Sequence, residues 1–306
     1  MNIELFKDHM SIIEDIINQN EKINIDEMAY RKSIITKEYN NMLSNKVPTI
    51  RFYQLSHEIR CVGFLAKYGN LHIASDQNDE PGCDFNLNNN IQIEAVCCSL
   101  GNQKINGFDK IPKKGVIDYN HKEKILLSRI TSSINEKFNF YKERVNKSID
   151  ANKPYIIFIG LGELTYGMIN FDYGFELNKI LCGVSHPYLT YDRLSDSFSS
   201  FYYSYNKEIN VEKFNNEGLG RNVEIPVMFF CNPENEFVSA IIYSTASLES
   251  EYNPSNTFIF LNPYAKNKIK ISDFKNVYYW KMDKEGKYNL RKNGKKYSHN
   301  KNKKFF

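Results

Sequence analysis

A short, wholly apolar segment in the middle of the chain constrains the fold more than any other feature of the sequence. Residues 155–159 read Tyr-Ile-Ile-Phe-Ile and follow directly on Pro154. An unbroken apolar run of this length is typical of a strand that is covered on both faces. The longest helical pattern of the chain, residues 122–149, precedes this strand and is expected to pack on its sheet. We therefore predict an α/β fold with a mixed central sheet flanked by helices.

The remaining elements are predicted from periodicity and from turn residues. Apolar spacing favours two polar helices within residues 2–46 and a helix over 51–68 that is closed by Gly69. Strands are predicted over residues 71–74, 85–87, 91–98, 226–231, 237–244 and 257–261. Residues 163–222 have no clear period, and we expect irregular or mixed structure there. The apolar stripe of the long helix is formed by Leu126, Ile130, Ile134, Phe138, Tyr141 and Val145.

The chain of 306 residues is long enough for one substantial core with elaborations or for two modest cores. We divide it into an N-terminal helical segment, residues 1–47, and an α/β core, residues 48–265. The core contains an insertion over about residues 163–222. A basic C-terminal segment with β-rich structure, residues 266–306, completes the chain.

Positive charge is concentrated at the C-terminus. The net charge is +4, yet residues 266–304 hold 14 Lys or Arg and three acidic residues, so that this part carries +11 and the rest of the chain −7. Such a run near aromatic side chains can neutralise phosphates and release counterions on binding nucleic acid. The predicted contacts are Arg291, Lys292, Lys295 and Lys296, and the nearby aromatic residues are Trp280, Tyr288 and Tyr297. The alternative is a solvated tail.

Composition and local patterns predict the cellular compartment and exclude several classes of protein. No N-terminal stretch has the form of a signal peptide, and no apolar run approaches the ~18 residues that span a bilayer. We expect a soluble, cytoplasmic protein without a membrane partner. Six cysteines are too few for a disulfide scaffold in a chain of this length, and no Cys or His spacing indicates zinc.

A predicted hairpin carries the candidate chemistry. The chain reads Pro81-Gly-Cys-Asp-Phe-Asn-Leu, then three asparagines, then Ile-Gln-Ile-Glu-Ala-Val. If residues 88–90 form a three-residue loop, Asp84 lies directly opposite Glu94. Opposed side chains have Cβ atoms about 4.5–5.5 Å apart, so the two carboxylates repel each other. Period-two alternation also places Glu94 on the same face as the apolar Val96.

Two carboxylates in a partly apolar setting can share a proton or bind a hard divalent cation. We favour the cation, and we predict Asp84 and Glu94 as ligands of Mg²⁺, with Mn²⁺ as a substitute. The alternative is an edge hairpin whose two acids point into water.

Glu58 is the third candidate ligand. It lies on the helical stripe of Leu55 and Val62 that should meet the sheet, and a carboxylate that faces a core needs a partner. A metal-ligand role would complete an acidic triad with Asp84 and Glu94. The alternative is a boundary glutamate that pairs with Arg60 or Lys67.

These residues resemble the PD-(D/E)xK nuclease superfamily. The order is a helix with Glu58, a hairpin with Asp84 and Glu94, and then a further helix. That second helix, from Arg129-Ile-Thr through Glu-Lys137, and the later Asn-Pro-Tyr-Ala at 262–265 are similar to segments of poorly characterised bacterial members. The resemblance covers roughly residues 50–265.

The resemblance implies a restriction-endonuclease-like fold and a function. Members commonly cleave DNA with Mg²⁺, and many act in restriction, repair or anti-phage systems. We therefore expect a Mg²⁺-dependent endonuclease that hydrolyses phosphodiester bonds, with DNA as the preferred substrate. A homodimer is plausible if both strands are cut.

One position departs from the family pattern. The lysine expected two residues after the acidic strand residue is replaced by Val96, and Lys137 on the following helix is the candidate replacement. Arg129, eight residues earlier on roughly the same helical face, is a candidate nucleic-acid contact. The alternative for Lys137 is a solvated surface position.

Two other functions remain open. The departure at Val96 allows a catalytically inactive, nuclease-like module that only binds nucleic acid. The second is a protein-binding regulator that uses residues 199–205, and only the Tyr/Phe-rich composition of that stretch supports it.

Overall fold

A computed structural model of the chain describes residues 3–45, 48–75, 82–98, 119–162, 175–192, 197–205, 208–214, 220–284 and 288–296. Pro81, Tyr297 and part of the 163–222 insertion lie outside these residues. The fold is mixed α/β, with a nine-stranded mixed sheet between helices. This confirms the predicted class and the mixed central sheet.

The helices are α1 (Ile3–Asn20), α2 (Ile25–Asn45), α3 (Ile50–Leu65), α4 (Tyr119–Arg144) and α5 (Phe175–Cys182). The strands of the large sheet are β1 (Leu71–Ile73), β2 (Phe85–Leu87), β3 (Ile91–Cys97), β4 (Tyr155–Gly160), β9 (Val238–Ser244), β10 (Thr257–Leu261), β11 (Tyr278–Met282), β12 (Tyr288–Lys292) and β13 (Lys295–Lys296). Two hairpins lie in the insertion and immediately after it: β5 (Val184–Asp192) with β6 (Ser197–Tyr205), and β7 (Glu208–Phe214) with β8 (Gly220–Pro226). The predicted helices and most predicted strands of the core are therefore confirmed.

The strand order of the large sheet is β1-β2-β3-β4-β9-β10-β11-β12-β13. β1, β2 and β3 form an antiparallel meander, and β4 lies parallel to both β3 and β9. β10 is antiparallel to β9 and parallel to β11, and the last two strands add as an antiparallel hairpin. The crossover from β3 to the parallel β4 contains α4, as expected for parallel neighbours.

The two faces of the sheet build two separate layers of core. Ile93, Ala95 and Phe158 belong to a buried cluster with residues of α1, α2 and α3, and we call this side the α3 face. Val96 and Ile157 belong to a second cluster with residues of α4 and α5, on the α4 face. The alternation along β3 and the double-sided burial of β4 are therefore as predicted.

Two sequence predictions about element bounds need correction. The long helix ends at Arg144 rather than at residue 149, because Asn146 takes a left-handed backbone with φ 63°. The predicted strand over residues 226–231 is wrong: β8 ends at Pro226, and a single 3₁₀ turn occupies Phe229–Cys231. Met228, with φ 68°, separates the two.

The C-terminal basic segment continues the central sheet. β11 pairs with β10, and Trp280 and Leu290 are buried in the core of the α4 face. Residues 288–296 therefore form a hairpin of two strands, and the solvated-tail alternative is wrong for them. Among the described residues no helix is long and apolar enough to cross a membrane.

A buried histidine joins α3 to the sheet. His57 Nε2 donates to the carbonyl of Phe158 at 3.0 Å, and the Tyr252 hydroxyl donates to Nδ1 at 2.7 Å. Burial lowers the pKa of His57 to about 3, so the ring is neutral and keeps this pattern of one donor and one acceptor. Gly160 leaves room for the pair, because a Cβ there would lie 2.3 Å from Nδ1 and 2.7 Å from the Tyr252 oxygen.

We expect Gly160→Ala to lower the free energy of unfolding by about 1–3 kcal/mol, since the added methyl overpacks this contact. Urea unfolding measures the loss, and the exposed Ser272→Ala is the control. An unchanged unfolding midpoint for Gly160→Ala would show that His57 and Tyr252 do not hold the positions described.

Candidate active site

The hairpin of β2 and β3 has the register that the sequence predicts. Leu87 faces Ile91 and Phe85 faces Ile93, with residues 88–90 as the turn. Asn88 takes a left-handed conformation with φ 54°, as asparagine tolerates, and its side-chain oxygen accepts from the amide of Asn70 at 2.9 Å. Counting one residue further places the backbones of Asp84 and Glu94 opposite each other.

Glu94 lies on the α4 face of the sheet, and the Asp84 side chain is bound to the backbone of β3. Asp84 Oδ2 accepts a hydrogen bond from the backbone amide of Ala95 at 2.7 Å. Glu94 is only 2% exposed, because β3 lies between β2 and β4 and α4 covers its side chain. The alternative of two acids that point into water is therefore wrong for Glu94, while Asp84 keeps partial exposure.

Lys137 reaches this pair from α4. Its Nζ donates to Glu94 Oε1 at 2.7 Å, and the residue is 9% exposed. The position follows from the helix, since Lys137 lies between the buried Ile134 and Tyr141 and next to Phe138. The solvated-surface alternative for Lys137 is wrong, and the structure brings together three of the four residues that the sequence assigns to catalysis.

The electrostatics of the site follow from burial and from repulsion. Burial first, and then the charge of Glu94, raise the pKa of Asp84 to about 7 against the opposing effects of Lys137 and the Ala95 amide. Burial also raises the pKa of Glu94, although Lys137 opposes the shift. Burial lowers the pKa of Lys137, but attraction to both acids outweighs it, so its pKa lies above the ordinary value. Lys137 is therefore charged at neutral pH.

One oxygen of the site is poorly satisfied. Glu94 Oε1 is held by Lys137, whereas Oε2 is buried without a hydrogen bond of good geometry, although the backbone amide of Asp84 lies near enough to the carboxylate to lower its pKa. A buried carboxylate oxygen without a donor is costly, and a cation would satisfy it. Mg²⁺ keeps several waters and commonly uses only one or two carboxylates, which is the number that Asp84 and Glu94 supply. No group of three or more His, Cys, Asp or Glu side chains with ligand geometry occurs among the described residues.

The structure places Glu58 against a buried arginine. Arg31 of α2 donates from Nη1 to Glu58 Oε2, and from Nε to Glu27 Oε1 at 2.9 Å. The sequence analysis considered Arg60 and Lys67 as partners and missed Arg31. The charge of Arg31 also lowers the pKa of Asp84, so its field reaches the candidate site. The metal-ligand role of Glu58 stays an untested prediction.

Little in the sequence indicates that Arg31 is buried and pairs with Glu58. Glu27 and Arg31 are four residues apart, the spacing of an ordinary surface ion pair on a helix. Both residues are almost fully buried, and only the packing of α2 on α3 reveals this. Local spacing alone therefore could not separate this buried pair from a solvated one.

The candidate nucleic-acid contacts occupy two places. Arg129 is half-buried on α4, and its charge lowers the pKa of the Cys98 thiol just beyond β3, although burial raises that pKa overall. The other four contacts lie in the edge hairpin of β12 and β13. There Arg291 faces Lys296 and Lys292 faces Lys295.

Like charges directly across strands destabilise a hairpin. Lys292 partly offsets this by lying over the ring of Tyr278, 4.3 Å from its centroid. The hairpin therefore presents a dense positive charge at the edge of the sheet.

Comparison with models of protein families, with curated proteins and with solved structures finds no match for this chain. The resemblance to the PD-(D/E)xK superfamily therefore stays a prediction from the sequence motifs.

The raised pKa of Asp84 predicts a specific dependence of stability on pH. Its ordinary value is 3.8 and its folded value about 7, so between these values the folded protein binds more protons than the unfolded chain. The protonated Asp84 carboxyl therefore stabilises the folded state fully below about pH 4, and this stabilisation is lost as the pH rises through 7. We expect Asp84→Asn to gain stability relative to the native protein over that range, by up to about 4 kcal/mol.

Urea unfolding from pH 4 to 8 in EDTA measures this difference. Subtraction of the native curve removes the effect of groups such as His9 and His57, and Asp26→Asn on the exposed side of α2 is the control. A difference between Asp84→Asn and the native protein that stays constant with pH would contradict the raised pKa.

Proposed function

We propose that the chain is a Mg²⁺-dependent nuclease that hydrolyses phosphodiester bonds, with DNA as the preferred substrate. The observation that carries the proposal is the cluster of Asp84, Glu94 and Lys137. Its two acids lie at opposed positions of a hairpin. Glu94 Oε2 is buried without a hydrogen bond of good geometry, and the charged Lys137 binds the other oxygen of the same carboxylate. The lysine arrives from α4, so Val96 at the family position does not deprive the site of a cation.

Each residue has a role that its contacts support. Asp84 is oriented by the Ala95 amide, and Glu94 by Lys137, so both carboxylates are fixed before a ligand arrives. When bound, Mg²⁺ would polarise the phosphate and promote attack by water. Lys137 has three donor hydrogens and spends one on Glu94, which leaves donors for a phosphate oxygen as negative charge develops.

The proton on Asp84 links the site to pH. At neutral pH this carboxyl is close to its pKa of about 7, so a proton and a divalent cation compete for the same oxygens. Activity should therefore rise as the pH passes from 6 to 8, because the ionised acid is the form that binds Mg²⁺.

Partners and pathway follow from the same proposal. The basic edge hairpin and Arg129 would contact the phosphate backbone, which positions a duplex without reading its sequence. A role in bacterial restriction or anti-phage defence, and a homodimer that cuts both strands, are parts of the proposal that rest on the family resemblance.

We expect Asp84→Asn and Glu94→Gln to lower Mg²⁺-dependent cleavage of DNA by at least about 100-fold, as when a metal ion loses a ligand. Lys137→Met should lower the rate by about 100- to 1,000-fold through loss of charge stabilisation. Plasmid cleavage with Mg²⁺ and with EDTA is the measurement.

Lys142→Met is the matched control, because Lys142 lies five residues later on α4 with a half-exposed side chain near Glu234. It should cleave like the native protein. Undiminished cleavage by both acid variants would end the nuclease proposal. A native protein that binds DNA without ever cutting it would instead favour the inactive nucleic-acid-binding module.

The edge hairpin gives a second prediction. Replacing Arg291, Lys292, Lys295 and Lys296 together by Gln should weaken DNA binding and reduce the slope of log affinity against log salt by about 2 to 4, since each duplex phosphate contact contributes about 0.9. Fluorescence anisotropy at several salt concentrations measures the slope.

The charge-matched control replaces four lysines of α1 and α2 and the turn between them: Lys7, Lys22, Lys32 and Lys37. If both quadruple variants reduce the slope equally, the hairpin has no special role and only net charge matters.

A further inference from the structure

A cavity opens on the sheet far from the acidic cluster. Its volume is about 290 Å³, and its walls include Leu261 at the carboxyl end of β10 and Met282 at the carboxyl end of β11. These two strands are parallel neighbours, so both carboxyl ends meet at the cavity. Ligands of open α/β sheets bind outside the carboxyl ends of strands. The volume is near the lower end of the range for small-molecule sites, about 300–1,000 Å³.

The uncharged polar side chains of the wall are already engaged within the protein. Asn262 is buried and donates to the carbonyls of Asn235, at 3.2 Å, and Val238, at 2.8 Å. Ser239 donates from Oγ to the carbonyl of Asn267 at 2.5 Å. These bonds hold the loop after β10 against the start of β9, so the cavity is preformed. They also account for the Asn-Pro segment that the sequence analysis singled out.

Two lysines give the cavity its charge. Lys268 and Lys281 line it and both are exposed, and none of the lining residues within the described part of the chain is acidic. Within the part of the chain that the structure describes, neither lysine makes an ion pair. Two ammonium groups match a phosphate monoester, which carries about −1.5 to −2 at pH 7, better than a diester with a single charge.

The rest of the lining is apolar. Leu261, Pro263, Ile269 and Met282 surround the space beside the two lysines. An inorganic anion would gain nothing from these surfaces, whereas a ligand with a flat apolar body would bury area against them. Methionine in particular adapts its shape to such a body.

We propose that this cavity binds a phosphate monoester attached to a planar ring, with Lys268 and Lys281 on the phosphate and the ring against Leu261 and Pro263. A nucleoside monophosphate and the 5′-phosphorylated end of a DNA strand both have this chemistry. The site differs from that of the nuclease proposal and does not depend on it.

Its separation from the acidic cluster follows from the sheet. β10 lies three strands from β3, about 14 Å at the usual strand spacing. Glu94 is on the α4 face, whereas Leu261 packs against the core of the α3 face. A ligand in the cavity therefore does not touch Asp84 or Glu94.

Calorimetry on the full chain in EDTA tests the proposal, since chelation keeps divalent ions away from the acidic cluster. The probes are deoxyadenosine monophosphate, deoxyadenosine, inorganic phosphate, and one oligonucleotide with and without a 5′-phosphate. We expect the monophosphate to bind at least 10-fold more tightly than deoxyadenosine or phosphate alone. A higher affinity of the oligonucleotide with a 5′-phosphate than of the same oligonucleotide without it would identify a strand end as the ligand, and equal affinities of the two oligonucleotides would identify a free nucleotide.

The double variant Lys268→Gln/Lys281→Gln should weaken binding at least 10-fold. Lys270→Gln/Lys275→Gln, which removes two exposed lysines outside the lining, should leave it unchanged. Absence of binding by deoxyadenosine monophosphate at about 1 mM, together with equal affinities of the two oligonucleotides, would overturn the proposal. So would equal affinities in the two double variants, or inorganic phosphate that binds as well as the nucleotide. The thermal midpoint of each variant confirms that it is folded.

Discussion

Two acidic residues at opposed backbone positions of the β2–β3 hairpin, Asp84 and Glu94, are the constraint around which this part of the protein is organised. Burial and mutual repulsion make it unfavourable to ionise both acids, and the pKa values of Asp84 and Glu94 are raised for this reason. Lys137 supplies one compensating charge, and the Ala95 amide one hydrogen bond. The site still has more negative than positive charge when both acids are ionised, which is the electrostatic basis for binding a divalent cation.

A second buried charge network connects this site to the N-terminal helices. Arg31 joins Glu27 on its own helix to Glu58 on α3, and its field extends to Asp84. Removing either partner of a buried pair leaves an uncompensated charge, so α2 and α3 are tied together electrostatically as well as by apolar contact. The N-terminal helices thus contribute to the same core as the α3 face of the sheet, although the sequence analysis treats them as a separate segment.

The parts that the sequence predicts are those fixed by local patterns. The asparagines at residues 88–90 tolerate the turn, and alternation along β3 fixes the register, so the Asp84–Glu94 pairing follows from a few neighbouring residues. Lys137 is predicted only through the family resemblance, which allows the cation to come from the helix after the hairpin. Arg31 was missed because its contact with Glu58 spans 27 residues and depends on tertiary packing.

The errors also have physical causes. The apolar residues around Met228 resemble a strand, but a left-handed backbone at Met228 turns them into a buried 3₁₀ segment. At the C-terminus the sequence predicts β structure, but the dense lysines hide the fact that Trp280 and Leu290 extend the central core. Charged side chains are tolerated there because β12 and β13 form the edge of the sheet.

The central claim is that Asp84 and Glu94 hold one divalent ion between them. A crystal structure of the protein soaked with Mn²⁺ tests it directly, because the anomalous signal of manganese locates the ion. The account predicts a single peak within about 2.0–2.6 Å of an oxygen of each carboxylate, with Lys137 still beside Glu94. A peak elsewhere, or carboxylate oxygens of Asp84 and Glu94 that remain in place without an ion, would contradict it.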